Sequence, residues 1–202
     1  MLHKQVVDTK TFNLLKQIQA IPELQEMRLV GGTSLALQIG HRISVDLDFF
    51  GAFDSSIPLE MFFTNFDNVV KTGSNRFMQF FEIDGVKVDF VNYNYPWLES
   101  PINEEGITLA SIEDISAMKI NAIINRGTKK DFIDVAFLLE HYSLLQLLGF
   151  YQKKYGVHDY QMALRSLTYF EDAELNVMPR MLINKDWDTI KTEITSQVRM
   201  LS

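Results

Sequence analysis

The chain has 202 residues, of which 47% are hydrophobic and 22% charged, and its net charge is −7. These values are typical of a globular protein with one ordinary domain or two small lobes. The acidic balance argues against a protein that coats nucleic acid by charge alone. The sequence has no cysteine, which excludes disulfides, thiolate nucleophiles and cysteine-ligated metal sites.

The sequence carries no targeting or membrane signal. Its N-terminus leads into polar residues without the pattern of a secretory signal peptide. No apolar run approaches the ~18 residues that a membrane helix needs. The sequence therefore predicts a cytoplasmic protein that does not insert into membranes.

The first part of the chain alternates short helical and strand patterns. Apolar residues at helical spacing predict a helix over residues 9–21. A short apolar run predicts a strand at 27–30, followed by a buried helix at 33–39. Alternation predicts a strand at 45–50, and a proline near the first turn predicts a helix at 58–66.

The clearest turn signal is Asp84-Gly85, a favoured two-residue hairpin turn. It predicts a hairpin with strands at 77–83 and 86–93. In the second strand, Lys87 and Asp89 share one face, opposite to the apolar residues.

The pattern becomes helical after about residue 108. Ser111 followed by acidic residues is typical of a helix start. We predict an α+β fold with two lobes: a small mixed-sheet α/β lobe at 1–108 and a helical lobe at 109–202, with four or five helices in a bundle.

The most informative segment is Gly31-Gly32-Thr33-Ser34, followed by Asp46-Leu47-Asp48. On a strand, Asp46 and Asp48 would project side by side. Carboxylates held that close repel each other unless a cation lies between them, and Mg²⁺ prefers carboxylates together with phosphates. A helix that opens on glycines offers backbone N–H groups to an anion. Together these features indicate nucleotide chemistry, although two solvated strand residues would give the same Asp pattern.

Asp89 is a candidate third carboxylate. If its strand lies next to the strand of Asp46 and Asp48, all three converge at one end of the sheet. Three such groups make a centre for in-line phosphoryl or nucleotidyl transfer. Asp89 would then serve as a metal ligand or a base.

The helical part holds charges where apolar residues are expected. Lys119 lies inside an apolar stripe, and Arg126 lies two turns further along the same helix. The Lys119 ammonium either escapes to water or lines a cleft with Arg126 and holds a triphosphate. Asp131 and Asp134 either pair with these cations as internal structure or belong to the site.

These segments resemble the motifs of a known family. The sequence G-G-T-S-L-A-L-Q-I-G-H-R-I-S-V-D-L-D-F-F at 31–50 resembles the first motif of the AbiEii/AbiGii toxin family of nucleotidyltransferases. That family belongs to the DNA polymerase β-like, or minimal, nucleotidyltransferase superfamily. Lys87-Val88-Asp89 resembles its second motif, Asp114 with Lys119 the third, and the segment 126–134 the fourth.

The resemblance implies Mg²⁺-dependent transfer of a nucleoside monophosphate from an NTP to an acceptor hydroxyl. The helical lobe would complete the active-site cleft. The metal ligands would be Asp46, Asp48 and Asp89. Predicted catalytic residues are Asp46, Asp48, Asp89, Lys119 and Asp131. Predicted nucleotide contacts are Gly31, Gly32, Thr33, Arg42, Ser44, Lys87, Lys119 and Arg126.

The resemblance also bears on partners. Known acceptors in the family include tRNA 3′ ends, and the toxins are commonly paired with an antitoxin, so we expect a toxin or abortive-infection component of a bacterium. A protein acceptor stays open. Two other functions remain: a nucleotidyltransferase that modifies an antibiotic or metabolite, and a catalytically silent module that binds a nucleotide or a partner.

Overall fold

A computed structural model describes residues 1–54 and 57–201. The contacts of the chain group into two compact units. The first consists of Met1–Asn94 and Pro101–Ala110. The second consists of Tyr95–Ser100 and the remainder of the chain from Ser111 onward.

The first unit is a mixed sheet with two helices longer than one turn among its described residues. The helices are α1 (Thr9–Gln19) and α2 (Gly31–Ile39). The strands are β1 (Arg28–Val30), β2 (Leu47–Gly51), β3 (Val69–Ser74), β4 (Met78–Ile83), β5 (Val86–Asn92), β6 (Ile102–Glu104) and β7 (Ile107–Leu109). Their order across the sheet is β3-β4-β5-β2-β1-β7-β6.

Two parallel contacts position the centre of this sheet. Strand β2 pairs in parallel with β5, and β1 pairs in parallel with β7, whereas the other neighbours are antiparallel. The predicted β4–β5 hairpin is confirmed. Asp84 and Gly85 adopt φ values of 51° and 79°, as the two centres of a type I′ turn require.

Aromatic rings form much of the core of the first unit. Phe49 of β2 stacks on Phe90 of β5, with ring centroids 5.3 Å apart. Phe63 lies 5.2 Å from Phe81 and 5.6 Å from Phe90. All four side chains are buried, so this cluster joins three strands through one set of ring contacts.

The second unit is helical, and its described residues form six α-helices. They are α3 (Ile112–Asn125), α4 (Lys129–Leu138), α5 (Leu144–Tyr155), α6 (Gln161–Leu167), α7 (Glu171–Glu174) and α8 (Trp187–Arg199). Ser111 caps α3, since its hydroxyl accepts from the backbone N–H of Asp114 at 3.0 Å. The predicted number of four or five helices is too low because α7 is a single turn without an apolar period.

Three features of the first unit differ from the prediction. The expected helix at 58–66 is a single 3₁₀ turn, Leu59–Phe62. Strands β3, β6 and β7 were not predicted, because β3 is mostly exposed and the other two have three residues each. Strand β2 begins at Leu47, which leaves Asp46 just outside it.

The helices found in residues 1–54 and 57–201 include none that combines the length and the hydropathy needed to cross a membrane.

Phe90 tests the aromatic core. We expect Phe90→Ala to lower the free energy of unfolding by about 3–5 kcal/mol, because it removes a fully buried ring that contacts three others. The measurement is urea denaturation followed by circular dichroism. The matched control is Phe77→Ala, whose ring is 46% exposed and whose loss should cost within about 1 kcal/mol. Equal losses in the two variants would contradict this account of the core.

Candidate active site

The parallel contact between β2 and β5 brings two of the predicted carboxylates together. Asp48 and Asp89 are register partners across this pair. Neighbouring strands lie about 4.8 Å apart, and register partners point to the same face. The convergence of the carboxylates was predicted on the condition that the two strands are neighbours, and β2 and β5 meet this condition.

Asp46 is positioned by a side chain rather than by the sheet. Thr33 is fully buried, and its hydroxyl donates to the backbone carbonyl of Asp46. The same hydroxyl lies 2.8 Å from Ser44 Oγ. The Thr33 hydroxyl thus fixes the turn that leads into β2, and the predicted contact of Thr33 with phosphate stays a prediction.

The start of α2 lies directly against Asp48. Gly31 follows Val30, which pairs with Asp48 across the antiparallel β1–β2 contact. A Cβ on Gly31 would lie 2.5 Å from Asp48 Oδ2, and Gly31 has a φ of +69°. Only glycine satisfies both conditions, because other residues rarely adopt this φ and need space for Cβ.

Arg42 lies behind the same helix start. A Cβ on Gly32 would lie 2.3 Å from Arg42 Nη2. The Arg42 side chain is buried, and its Nη1 donates to the carbonyl of Ile43 at 3.1 Å. Arg42, predicted to contact the nucleotide, thus places a guanidinium against the backbone of the helix start.

Lys87 forms an ion pair with one of these carboxylates. Its Nζ is 2.9 Å from Asp89 Oδ2. The hydrogen bond to Asp89 raises the pKa of Lys87 above its usual range, and the charges of Asp89, Asp48 and Asp46 add to this effect against the opposing effect of burial. One ammonium therefore interacts with all three predicted metal ligands.

Asp89 has one carboxylate oxygen without a hydrogen-bond partner among the described residues. Asp89 Oδ1 is buried, and no described residue offers it a hydrogen bond. A buried oxygen without a partner is costly, and it fits a metal ion or a substrate group. Within the part of the chain that the structure describes, however, no three acidic, histidine or cysteine side chains form a metal-binding group by themselves.

The second unit holds the other predicted site residues in one ionic cluster, of which Lys119 and Asp131 are buried. Lys119 is only 5% exposed, so the interpretation in which its ammonium escapes to water is wrong. Its Nζ lies 3.1 Å from Asp131 Oδ1 and 2.6 Å from Asp134 Oδ2. Pairing on both sides compensates for the burial of this charge.

Asp131 accepts from three different side chains. Besides Lys119, Arg126 donates to it through Nε at 2.9 Å and Nη2 at 3.1 Å. Thr128 donates through its hydroxyl at 2.7 Å. Burial alone would raise the pKa of Asp131, but Lys119, Arg126 and Thr128 outweigh it and lower the pKa to about 2. The carboxylate is thus a weak base whose acceptor positions are occupied.

A second buried ion pair was not predicted. Lys154 and Asp114 are fully buried, and their Nζ and Oδ1 lie 2.5 Å apart. Asp114 also accepts from the backbone N–H groups of Leu98 and Glu99. Lys154 lies among the buried apolar residues of α5, as Lys119 lies among those of α3. A lysine within an apolar stripe was therefore a signal that the sequence offered for both residues.

The fold of the chain is shared with solved structures. JHP933 from Helicobacter pylori is similar over 96% of this chain and 93% of its own, with a TM-score of 0.64 and 19% identity. MenT4, a nucleotidyltransferase toxin from Mycobacterium tuberculosis H37Rv, is similar over 96% of this chain and 85% of its own, with a TM-score of 0.59 and 13% identity. These likenesses show that the chain shares the fold of the two proteins.

The family follows from the sequence. An uncharacterized protein of Aquifex aeolicus (strain VF5) is 37% identical over 172 residues, which is 81% of this chain and 82% of that protein. Residues 13–200 match the model of the nucleotidyl transferase AbiEii toxin family, described as a type IV toxin–antitoxin system. The chain belongs to this family, and the predicted family, fold class and enzyme class are confirmed.

Gly31 tests the contact between the helix start and Asp48. We expect Gly31→Ala to lower nucleotidyl transfer by at least about tenfold, because the added Cβ would displace the Asp48 carboxylate. The matched control is Gly106→Ala. Gly106 has a φ of +78°, but its Cβ would meet nothing within 4 Å. Both variants should lose similar stability by thermal unfolding, and a similar loss of transfer in both would contradict the contact.

Asp131 tests the ionic cluster through pH. A group whose pKa falls on folding stabilises the protein above its unfolded pKa and loses that contribution as the pH falls through the folded value. With values of 3.8 and about 2, the contribution is about 2 kcal/mol and is lost from about pH 5 downwards. Urea denaturation should therefore show the stability difference between wild type and Asp131→Asn shrinking between pH 5 and pH 2. A difference that stays constant would contradict the cluster.

Proposed function

We propose that this protein transfers a nucleoside monophosphate from an NTP to an acceptor hydroxyl in a Mg²⁺-dependent reaction, as the toxin of a toxin–antitoxin pair. The observation that carries the proposal is the register of Asp48 with Asp89 beside the glycine-opened start of α2. Carboxylates next to backbone N–H groups suit a metal ion that is shared with phosphates.

The first unit is proposed to bind the metal and the triphosphate. Asp46, Asp48 and Asp89 would hold Mg²⁺, and the partnerless Asp89 Oδ1 supports this assignment. When bound, Mg²⁺ neutralises phosphate charge and lowers the pKa of an attacking hydroxyl. The backbone of Gly31 and Gly32 would donate to phosphate oxygens.

Lys87 is proposed to exchange one partner for another. In the described structure its ammonium lies on Asp89. Its side chain is 59% exposed, so it is free to turn from the carboxylate to a phosphate oxygen when the substrate is present. Ser44 and Arg42 would support the phosphate site from behind, because they pack against Thr33 and Gly32.

In the second unit, Arg126 is proposed as the direct nucleotide contact. Its side chain is 63% exposed, whereas those of Lys119 and Asp131 are buried. We therefore propose that Lys119 and Asp131 act through Arg126, by fixing its guanidinium, and not through their own proton transfer. The exposed fraction of each side chain supports this division of roles.

The proposals for the acceptor and for the partner rest on the membership of the chain in this family. Its description as a toxin of a type IV toxin–antitoxin system supports a cognate antitoxin. We propose tRNA 3′ ends as the acceptor, with protein as the competing outcome of the test. Because NTPs are pooled in the cytoplasm, we propose that the enzyme acts there.

Asp46 and Asp48 test the reaction. The protein would be incubated with Mg²⁺, each of the four α-labelled NTPs, total bacterial RNA and total bacterial protein. We expect label in RNA, and a loss of at least about 10³-fold in the Asp46→Ala/Asp48→Ala double variant, because the metal would lose two of its ligands.

The matched control is Asp67→Ala, which removes an exposed carboxylate of the same unit and should leave transfer unchanged. Label in protein alone would show that the acceptor is a protein and not RNA. Transfer that persists in the double variant would refute the metal centre. No label in either pool would favour a small-molecule acceptor or a binding module.

A further inference from the structure

The helical unit contains a polar pocket that the proposed metal centre does not use. It has a volume of about 420 Å³ and lies where α3 and α6 end. Arg126, Arg165, Tyr169 and Asp172 contribute to its wall. This volume is within the range of small-molecule binding sites, which begins at about 300 Å³.

Two arginines give the pocket its cationic groups. Arg126 is held by a fork of two hydrogen bonds to Asp131, so its guanidinium is fixed although most of the side chain is exposed. Arg165 is exposed in the last turn of α6 and makes no ion pair with the described residues. An arginine fixed in advance loses little conformational entropy when it binds a phosphate.

The wall of the pocket also carries an acceptor and an aromatic ring. The Tyr169 side chain is half exposed, and its hydroxyl lies 3.3 Å from Glu171. The charges of Asp172 and then Glu171 raise the pKa of Tyr169, which keeps the phenol protonated. The pocket therefore offers cations, a carboxylate and a ring in one space.

This combination selects among ligand classes. An inorganic anion would use the arginines and be repelled by Asp172. A nucleotide matches all of the groups, because its phosphate binds guanidinium, its ribose hydroxyls donate to a carboxylate and its base stacks on an aromatic ring.

We propose that this pocket binds one nucleotide unit, with the phosphate on Arg126 and Arg165, the ribose on Asp172 and the base against Tyr169. Asp131 is a positioning residue, since it orients Arg126. The inference rests on the proposed function in one respect: the nucleotide is either the NTP or the terminal nucleotide of an acceptor RNA. Both sources have the same chemistry.

The first experiment measures binding without transfer. The probes are AMP, CMP, GMP and UMP, added in EDTA to the full chain carrying Asp46→Ala/Asp48→Ala, and affinity is measured by calorimetry. Adding Arg165→Ala should weaken binding by about tenfold to hundredfold, as expected for a lost charged hydrogen bond. The matched control, Arg180→Ala, removes another exposed arginine of the same unit and should change affinity by less than about twofold. Equal losses in both variants, or no binding of any monophosphate, would overturn the proposal.

The second experiment tests the ribose contact. Asp172→Asn should weaken the binding of a ribonucleoside monophosphate by about tenfold and leave its 2′,3′-dideoxy counterpart unaffected. A uniform effect on both probes would overturn the assignment of Asp172.

The third experiment tests positioning and identifies the source of the nucleotide. In the protein with intact Asp46 and Asp48, Arg126→Ala, Asp131→Asn and their combination should raise the same KM by similar factors, because Asp131 acts through Arg126. Additive effects, or an acidic limb of the kcat profile that Asp131→Asn abolishes, would overturn the positioning role. A raised KM for the NTP assigns the pocket to the substrate, and a raised KM for RNA assigns it to the acceptor.

The nucleotide pocket and the proposed transfer reaction can be refuted independently of each other. If wild type binds monophosphates through Arg165 but transfers no label, the pocket stands and the proposed reaction falls. If transfer occurs but Arg165→Ala changes neither affinity nor KM, the reaction stands and the pocket falls.

Discussion

The parallel pairing of β2 with β5 is the constraint on which the site depends. In one register it places Phe49 beside Phe90 on the core face and Asp48 beside Asp89 on the other face. A slip of one residue would turn the side chains of one strand to the opposite face and would separate both pairs. Ring stacking in the core therefore maintains the alignment of the two carboxylates, and the packing of the sheet and the geometry of the site have the same physical origin.

The helical unit keeps two lysine side chains inside its core. Lys119 and Lys154 are both buried, and each lies against aspartate. Taking such charges out of water costs several kcal/mol per ion, and removing one partner would leave the other uncompensated. The two pairs thus specify one arrangement of α3, α4 and α5, because sliding a helix would separate a lysine from its partner.

The features predictable from the sequence are those that short local patterns determine. The type I′ turn at Asp84-Gly85 and the cap at Ser111 were predicted because a few neighbouring residues determine them. The strand order was not predictable, since β7 joins β1 from a distance of about eighty positions. Arg165 and Tyr169 gave no signal, because neither stands in a motif and only the tertiary structure brings them to Arg126. The fixing of Asp46 by Thr33 was missed for the same reason.

The contact of Lys87 with Asp89 has a consequence for the metal-free protein. Carboxylates that lie close together repel each other unless a cation lies near them. Here the chain carries its own counterion two positions before Asp89, and that ammonium also interacts with Asp46 and Asp48. If a metal binds there as proposed, it would replace the Lys87 ammonium, so that its binding would be the exchange of one cation for another.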